Sequence, residues 1–213
     1  TIVLPLLALG MIRASAASLT GLWEFDNSSN PAQATVGSDL TFAGAAPGSW
    51  SASLTDDAAT PLSGVITTAA AVSTNTILAN HGIAPNGGGA YVNEYSLLVD
   101  VFSPAGSRSS WRTLFQTNMS NSNDGEYFID PSSDTLGVGA LTYSASPINE
   151  TQWTRLVVTV DLDASGPSDV RTYLNGSLFH THSLTGGLDG RFALDPALLL
   201  FSDNDGDNAP LNV

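Results

Sequence analysis

The chain has no cysteine and no lysine. Without cysteine it carries neither disulfides nor thiolate metal clusters, so its stability rests on non-covalent packing. Without lysine its positive charge comes from six arginines alone. Against them stand sixteen aspartates and four glutamates, for a formal net charge of −14. That balance argues against nucleic acid and anionic membrane as partners, because each phosphate contact needs a cation. It suits a solvated extracellular surface, divalent cations or a salty habitat. Charged residues are scarce overall, at 12%. Surface helices draw on Glu and Lys, so this shortage, beside abundant Gly, Ser, Thr, Asn and Asp, favours strands and turns. No eleven-residue window shows helical periodicity with caps.

What is present bounds the rest. A length of 213 residues with 42% hydrophobic content is enough for one β-domain with a sizeable core. The run Ile2 to Leu9 is too short to span a bilayer, and no other membrane span is expected. Followed by Ala14-Ser15-Ala16, it fits a signal peptide over residues 1–17, incomplete at its start because Thr1 is not Met. Export without disulfides points to a bacterial secreted or cell-surface protein.

The strand signals are dense. Trp153 to His182 holds two alternating runs and then Asn175-Gly176, the strongest short hairpin signal, since a type I′ turn needs positive φ at both central residues. Three antiparallel strands are expected there. Further strands are expected at Leu19 to Asp26, Leu40 to Phe42, Val65-Ile66, Thr76 to Leu78, Tyr91 to Phe102, Trp111 to Gln116, Glu126 to Ile129, Leu136 to Leu141 and Ala197 to Phe201. Residues 27 to 64 read as loops around short strands. Asn86 to Ala90 reads as a glycine-rich hinge; its Gly87-Gly88-Gly89 lacks the rest of a phosphate loop. Many short strands spaced by turns make two packed antiparallel sheets.

GLWEFD near the start, YVNEYSLLVDVF, WTRLVVTVDL and TYLNG resemble, in pattern and order, the laminin-G-like, concanavalin A-like jelly-roll family over about residues 20 to 213. HGIAPNGGGAYVNEY, LFQTNMSNSNDGEYFI and LDGRFALDPALLLFSDNDGD are similar to a bacterial secreted branch of it. The resemblance implies an all-β jelly-roll sandwich of two curved antiparallel sheets, six or seven strands in each. It also implies glycan or protein binding at the rim or concave face, often with calcium. In that family the terminal strands pair, so a domain over 18–213 is expected to lack its last strand.

Candidate chemistry sits in few places. Asp203, Asp205 and Asp207 offer side-chain oxygens at alternate positions around Gly206, as a hard cation requires. They form the candidate calcium site, with Asp124 and Glu126 as helpers from another loop; an acidic turn is the plainer reading. Trp111, Tyr127, Tyr143 and Trp50 lie near loops and are the candidate ligand-binding aromatics, since exposed rings stack on flat apolar surfaces. Trp23 and Trp153 sit beside core strands and read as packing. His180 and His182 share one strand face but read as solvent-facing residues. Glu24 and Asp26 lack the third carboxylate of an E-x-D-x-x-E glucanase pattern, and no G-x-S-x-G elbow occurs, so no catalytic residues are assigned. The reading is a secreted or cell-surface carbohydrate-binding or adhesion module, calcium-assisted, whose partner is a glycan or a cell-surface protein. The alternatives are a structural spacer and, behind it, a glycoside hydrolase of the same fold.

Overall fold

A computed structural model of the chain describes residues 17–68, 74–104, 110–120, 125–138, 142–149, 151–163, 168–184, 187–203 and 213. The described residues hold thirteen strands and no helix. In chain order these are β1 (Thr41–Phe42), β2 (Ser49–Thr55), β3 (Pro61–Thr67), β4 (Ile77–Asn80), β5 (Glu94–Val101), β6 (Arg112–Gln116) and β7 (Glu126–Ile129). Then come β8 (Thr135–Val138), β9 (Thr142–Pro147), β10 (Thr154–Asp161), β11 (Ser168–Leu174), β12 (Ser177–Leu184) and β13 (Ala197–Leu200).

They form an all-β sandwich of antiparallel sheets. One sheet has seven strands in the order β1-β4-β13-β6-β7-β8-β9; another has four, β12-β11-β10-β5; β2 and β3 pair separately. The resemblance implied two sheets of nearly equal width, and the narrow sheet falls short of that. Strands distant in sequence lie side by side, β13 between β4 and β6 for example, which is the long-crossover wiring of a jelly roll.

Alternation explains the packing. Along β10, Thr154, Leu156, Val158 and Val160 are buried while Arg155 and Asp161 are exposed. The register puts Leu97 and Thr172 beside Val158, and Tyr95 and Val170 beside Val160, on the same inward face. The seven-stranded sheet meets them with Phe115, Tyr127, Ile129 and Leu136. Fully burying one such aliphatic chain is worth roughly 1.5–3 kcal/mol.

The expected trio is present as β10, β11 and β12, and Asn175 and Gly176 both have positive φ, 48° and 84°. The trio also holds a correction. A regular two-residue hairpin would set Phe179 opposite Thr172. Instead a bulge inserts one residue, so Tyr173 faces Leu178 and Thr172 faces His180. His180 and His182 therefore turn into the sandwich, and His182 keeps only 2% exposure. Their rings meet with His180 Nε2 3.1 Å from His182 Nδ1. The stretch Leu19 to Asp26 forms no strand; a single bridge, Leu22 with Val36, is what it makes. Strand β2 lies in the stretch expected to hold short strands, around Trp50, whereas β9 was not expected, since its Ser- and Ala-rich sequence carries little apolar alternation.

Two buried polar links support the seven-stranded sheet and its contact with the narrow one. Arg112 on β6 is paired with Asp134 at 2.5 Å, both side chains at most 5% exposed. Removing one partner of a buried pair leaves an uncompensated charge. Asp134→Asn, which keeps the residue's tolerance of its φ of 54°, is expected to lower stability by about 3–5 kcal/mol in urea unfolding; a loss under 1 kcal/mol would show the pair to be idle. The second link is Tyr127, whose hydroxyl lies 2.5 Å from Thr172 Oγ1. Burial pushes the Tyr127 phenol up to about 12 and raises Tyr95 as well. A raised folded pKa stabilises fully below the unfolded value of 10.0 and is lost as pH climbs from there. Stability should fall from about pH 10 upward, with the part of the tyrosinate absorbance that belongs to Tyr95 and Tyr127 appearing only as the chain unfolds.

Candidate functional site

Tyr127 points inward, so its neighbour Phe128 points out from the seven-stranded sheet. The register then sets one row across four strands: Thr113, Phe128, Gly137 and Tyr143. The row has a gap at Gly137. A Cβ there would stand 2.2 Å from the carbonyl oxygen of Thr142, and φ is +149°, so only glycine fits. Trp111, two residues before Thr113, packs against the two rings of this row. Its ring centroid is 5.6 Å from Phe128, edge-on, and 6.2 Å from Tyr143 at a 35° tilt. Phe128 is buried under it, while Trp111 keeps 38% exposure and Tyr143 is half-buried.

Carboxylates border the rings. Burial, then the charges of Asp130 and Glu126, raise the Tyr143 phenol above its usual value. Burial works against Asp130's charge too, but hydrogen bonds from the hydroxyls and backbone N–H groups of Ser132 and Ser133 hold its carboxyl below the usual range. Two tilted rings with fixed acceptors beside them can stack on a flat apolar ligand face and accept hydrogen bonds from its hydroxyls.

Three of the sequence-derived candidates, Trp111, Tyr143 and Glu126, thus come together. Trp50 does not join them: it is half-buried, packs against the core, and donates from Nε1 to the carbonyl oxygen of Phe25 at 2.6 Å. Tyr127 is a correction. It is fully buried, stacked on Phe115 at 5.8 Å, because it lies in a strand with neighbours on both sides rather than beside a loop. Phe128 and Gly137 were missed, although a glycine inside a strand is itself a signal of close approach. Of the candidate calcium ligands, Asp203 is 6% exposed just past β13. Asp205, Asp207 and Asp124 lie outside the described residues. Among the described residues no three His, Asp or Glu side chains gather as a metal site, which covers Asp203, Glu126 and the histidine pair.

A second feature ties together the loops before β5 and β13. Asp189 accepts from the backbone N–H of Ala90 and of Tyr91, both at 2.9 Å through Oδ1, and from Asn93 Nδ2 at 3.0 Å. Asn86 Oδ1 accepts from the N–H groups of Asn93 and Glu94. The glycine-rich stretch is therefore a pinned turn rather than a hinge. Gly89 is there because a Cβ would sit 2.2 Å from Asp189 Oδ1. His81 completes the clamp: the carbonyl of Asp195 lies 2.6 Å from Nε2 and Nδ1 accepts from Ile83 N–H, which fixes the neutral Nε2–H tautomer. Tyr91, 43% exposed, stands over a polar notch of about 190 Å³ shared with Asn118, Asp189, Arg191 and Asp195.

No protein-family model and no curated protein matches the chain. Among solved structures it is similar to the carbohydrate binding module CBM66 from Bacillus subtilis, at 11% identity and a TM-score of 0.41, over 82% of this chain and 90% of that one. The fold assignment rests on the sheets themselves.

The clamp has a testable signature. The N–H group of Ala90, then Asn93 and the N–H group of Tyr91, hold the Asp189 carboxyl below its usual 3.8. A depressed folded pKa stabilises above the unfolded value and is lost as pH falls below it. Gly89→Ala should therefore raise the Asp189 pKa toward the ordinary carboxylate value, read by carbon-detected NMR titration. An unshifted pKa would mean that Gly89 and Asp189 are not in contact.

Proposed function

We propose that this chain is a carbohydrate-binding module of laminin-G-like type, secreted or displayed at a cell surface, which takes a glycan on the Trp111–Tyr143 face. The observation that carries the reading is Trp111: a tryptophan held 38% exposed beside a second ring. The charges of Glu126 and Asp130 act on that same second ring. A pyranose has one apolar face and a girdle of hydroxyls, and this arrangement offers a partner to each. Adhesion follows where the glycan is on another cell. Calcium assistance through Asp203, Asp205 and Asp207 is proposed on their alternating oxygens alone. The glycan face does not depend on it.

Glycan-array binding of the full chain, with calcium and then with EDTA, tests the reading. Trp111→Ala is expected to weaken the best glycan about tenfold, the equivalent of about 1.4 kcal/mol, in a chain that still unfolds cooperatively, at a lower temperature because Phe128 is uncovered. Tyr91→Ala is expected to leave binding as it was. If wild type binds no glycan, the chain is a spacer. If Tyr91→Ala abolishes binding and Trp111→Ala does not, the site is the polar notch. Loss in EDTA alone assigns the calcium.

A further inference from the structure

Strand β5 ends the four-stranded sheet, with β10 on one side and, among the described residues, no strand hydrogen-bonded to the other. Backbone groups alternate in direction along an antiparallel strand. Leu162 N–H donates to the Asn93 carbonyl, so odd positions face β10. Asn86 takes both groups of Glu94, accepting from its N–H at 2.8 Å and donating to its carbonyl at 2.7 Å. The edge is sealed at that point only. Beyond it, the N–H and C=O groups of Ser96, Leu98 and Asp100 point away from β10, and no hydrogen bond from the described residues reaches them.

At Leu98 and Asp100 this edge opens on a cleft of about 520 Å³. Val99, Leu200 and Phe201 give it an apolar lining, and Glu24 and Asp26 give it acids, while Asp100 is already paired with Arg155 at 2.7 Å. Exposed edges are normally blunted by proline, lysine or a bulge. Here the register with β10 runs unshifted over eight residues, and Leu98 is 56% exposed.

We propose that this cleft is a strand-acceptor site. It takes an extended segment of a separate polypeptide, which adds to the free edge of β5 with apolar side chains over Val99, Leu200 and Phe201. Basic side chains at the alternate positions face Glu24 and Asp26. Main-chain hydrogen bonds supply the affinity and the alternating side chains the selectivity, as in other strand additions. Charge complementarity favours such a partner over a second copy: this chain carries −14 and no lysine, and a copy would bring its own acids to the same edge.

The test is amide hydrogen exchange by NMR on the full chain, with and without the synthetic peptide Arg-Val-Thr-Val-Arg-Val-Thr. Without peptide, Ser96, Leu98 and Asp100 should exchange about 100-fold faster than Leu97 and Val99; with peptide they should slow to match. Leu98→Pro deletes an outward N–H while sparing the ladder to β10, and should abolish that protection. Leu98→Lys, which guards the edge by charge, should weaken the peptide about tenfold and serves if the proline variant does not fold. Slow exchange at the three amides without peptide overturns the proposal, as does binding unchanged in both variants. Concentration-dependent protection of the same amides in the free chain also overturns it, because the occupant would then be a second copy.

Discussion

With no disulfide available, the two sheets are joined by the seam between their inner faces, and Tyr127 stands in the middle of it. Its ring stacks on Phe115 of its own sheet while its hydroxyl reaches Thr172 across the seam. His182 closes on the same hydroxyl at 3.5 Å. A polar group buried among Leu156, Val158 and Ile129 costs free energy unless paired, so these partners fix how one sheet lies on the other. Apolar contacts alone would tolerate a slip of register; a hydrogen bond at 2.5 Å does not. Everything outward of the seam inherits that alignment. Because Tyr127 points in, Phe128 points out, and the aromatic face built on Phe128 follows.

The aromatic face depends on a close approach of two strands. Gly137 sits between Phe128 and Tyr143 in the row, and a Cβ there would strike the backbone of Thr142 and Tyr143, so the strand that carries Tyr143 would be pushed away. The sheet therefore displays a tryptophan without leaving a broad apolar patch open. Trp111 covers Phe128, and Glu126 and Asp130 keep the border polar and acidic.

Fold class and the central strands were legible because they depend on local signals. Asn175-Gly176 can scarcely be anything but a tight hairpin, and β10 alternates cleanly. What escaped depends on events a linear reading does not contain. The bulge at Phe179 reversed the facing of His180 and His182, and one inserted residue leaves no mark in composition. Tyr127 read as a loop-side ring because its strand is four residues long and flanked by turn formers, although strands on both sides cover it. The Asp189 clamp joins residues nearly a hundred positions apart, which no motif could announce. Trp111 and Tyr143 were legible as ring-bearing residues near loops; that they meet was not.

The unequal strand counts have a consequence for the outline of the molecule. At about 4.8 Å between neighbours, seven strands span roughly 29 Å and four span roughly 14 Å. The wide sheet therefore overhangs the narrow one by about half its breadth. That overhang must be roofed by chain that is not part of the narrow sheet. The irregular runs at 17–40, 81–93 and 187–196, together with the β2–β3 pair, are the material available for it. Insertions in those runs would alter the roof and leave the seam between the sheets as it is.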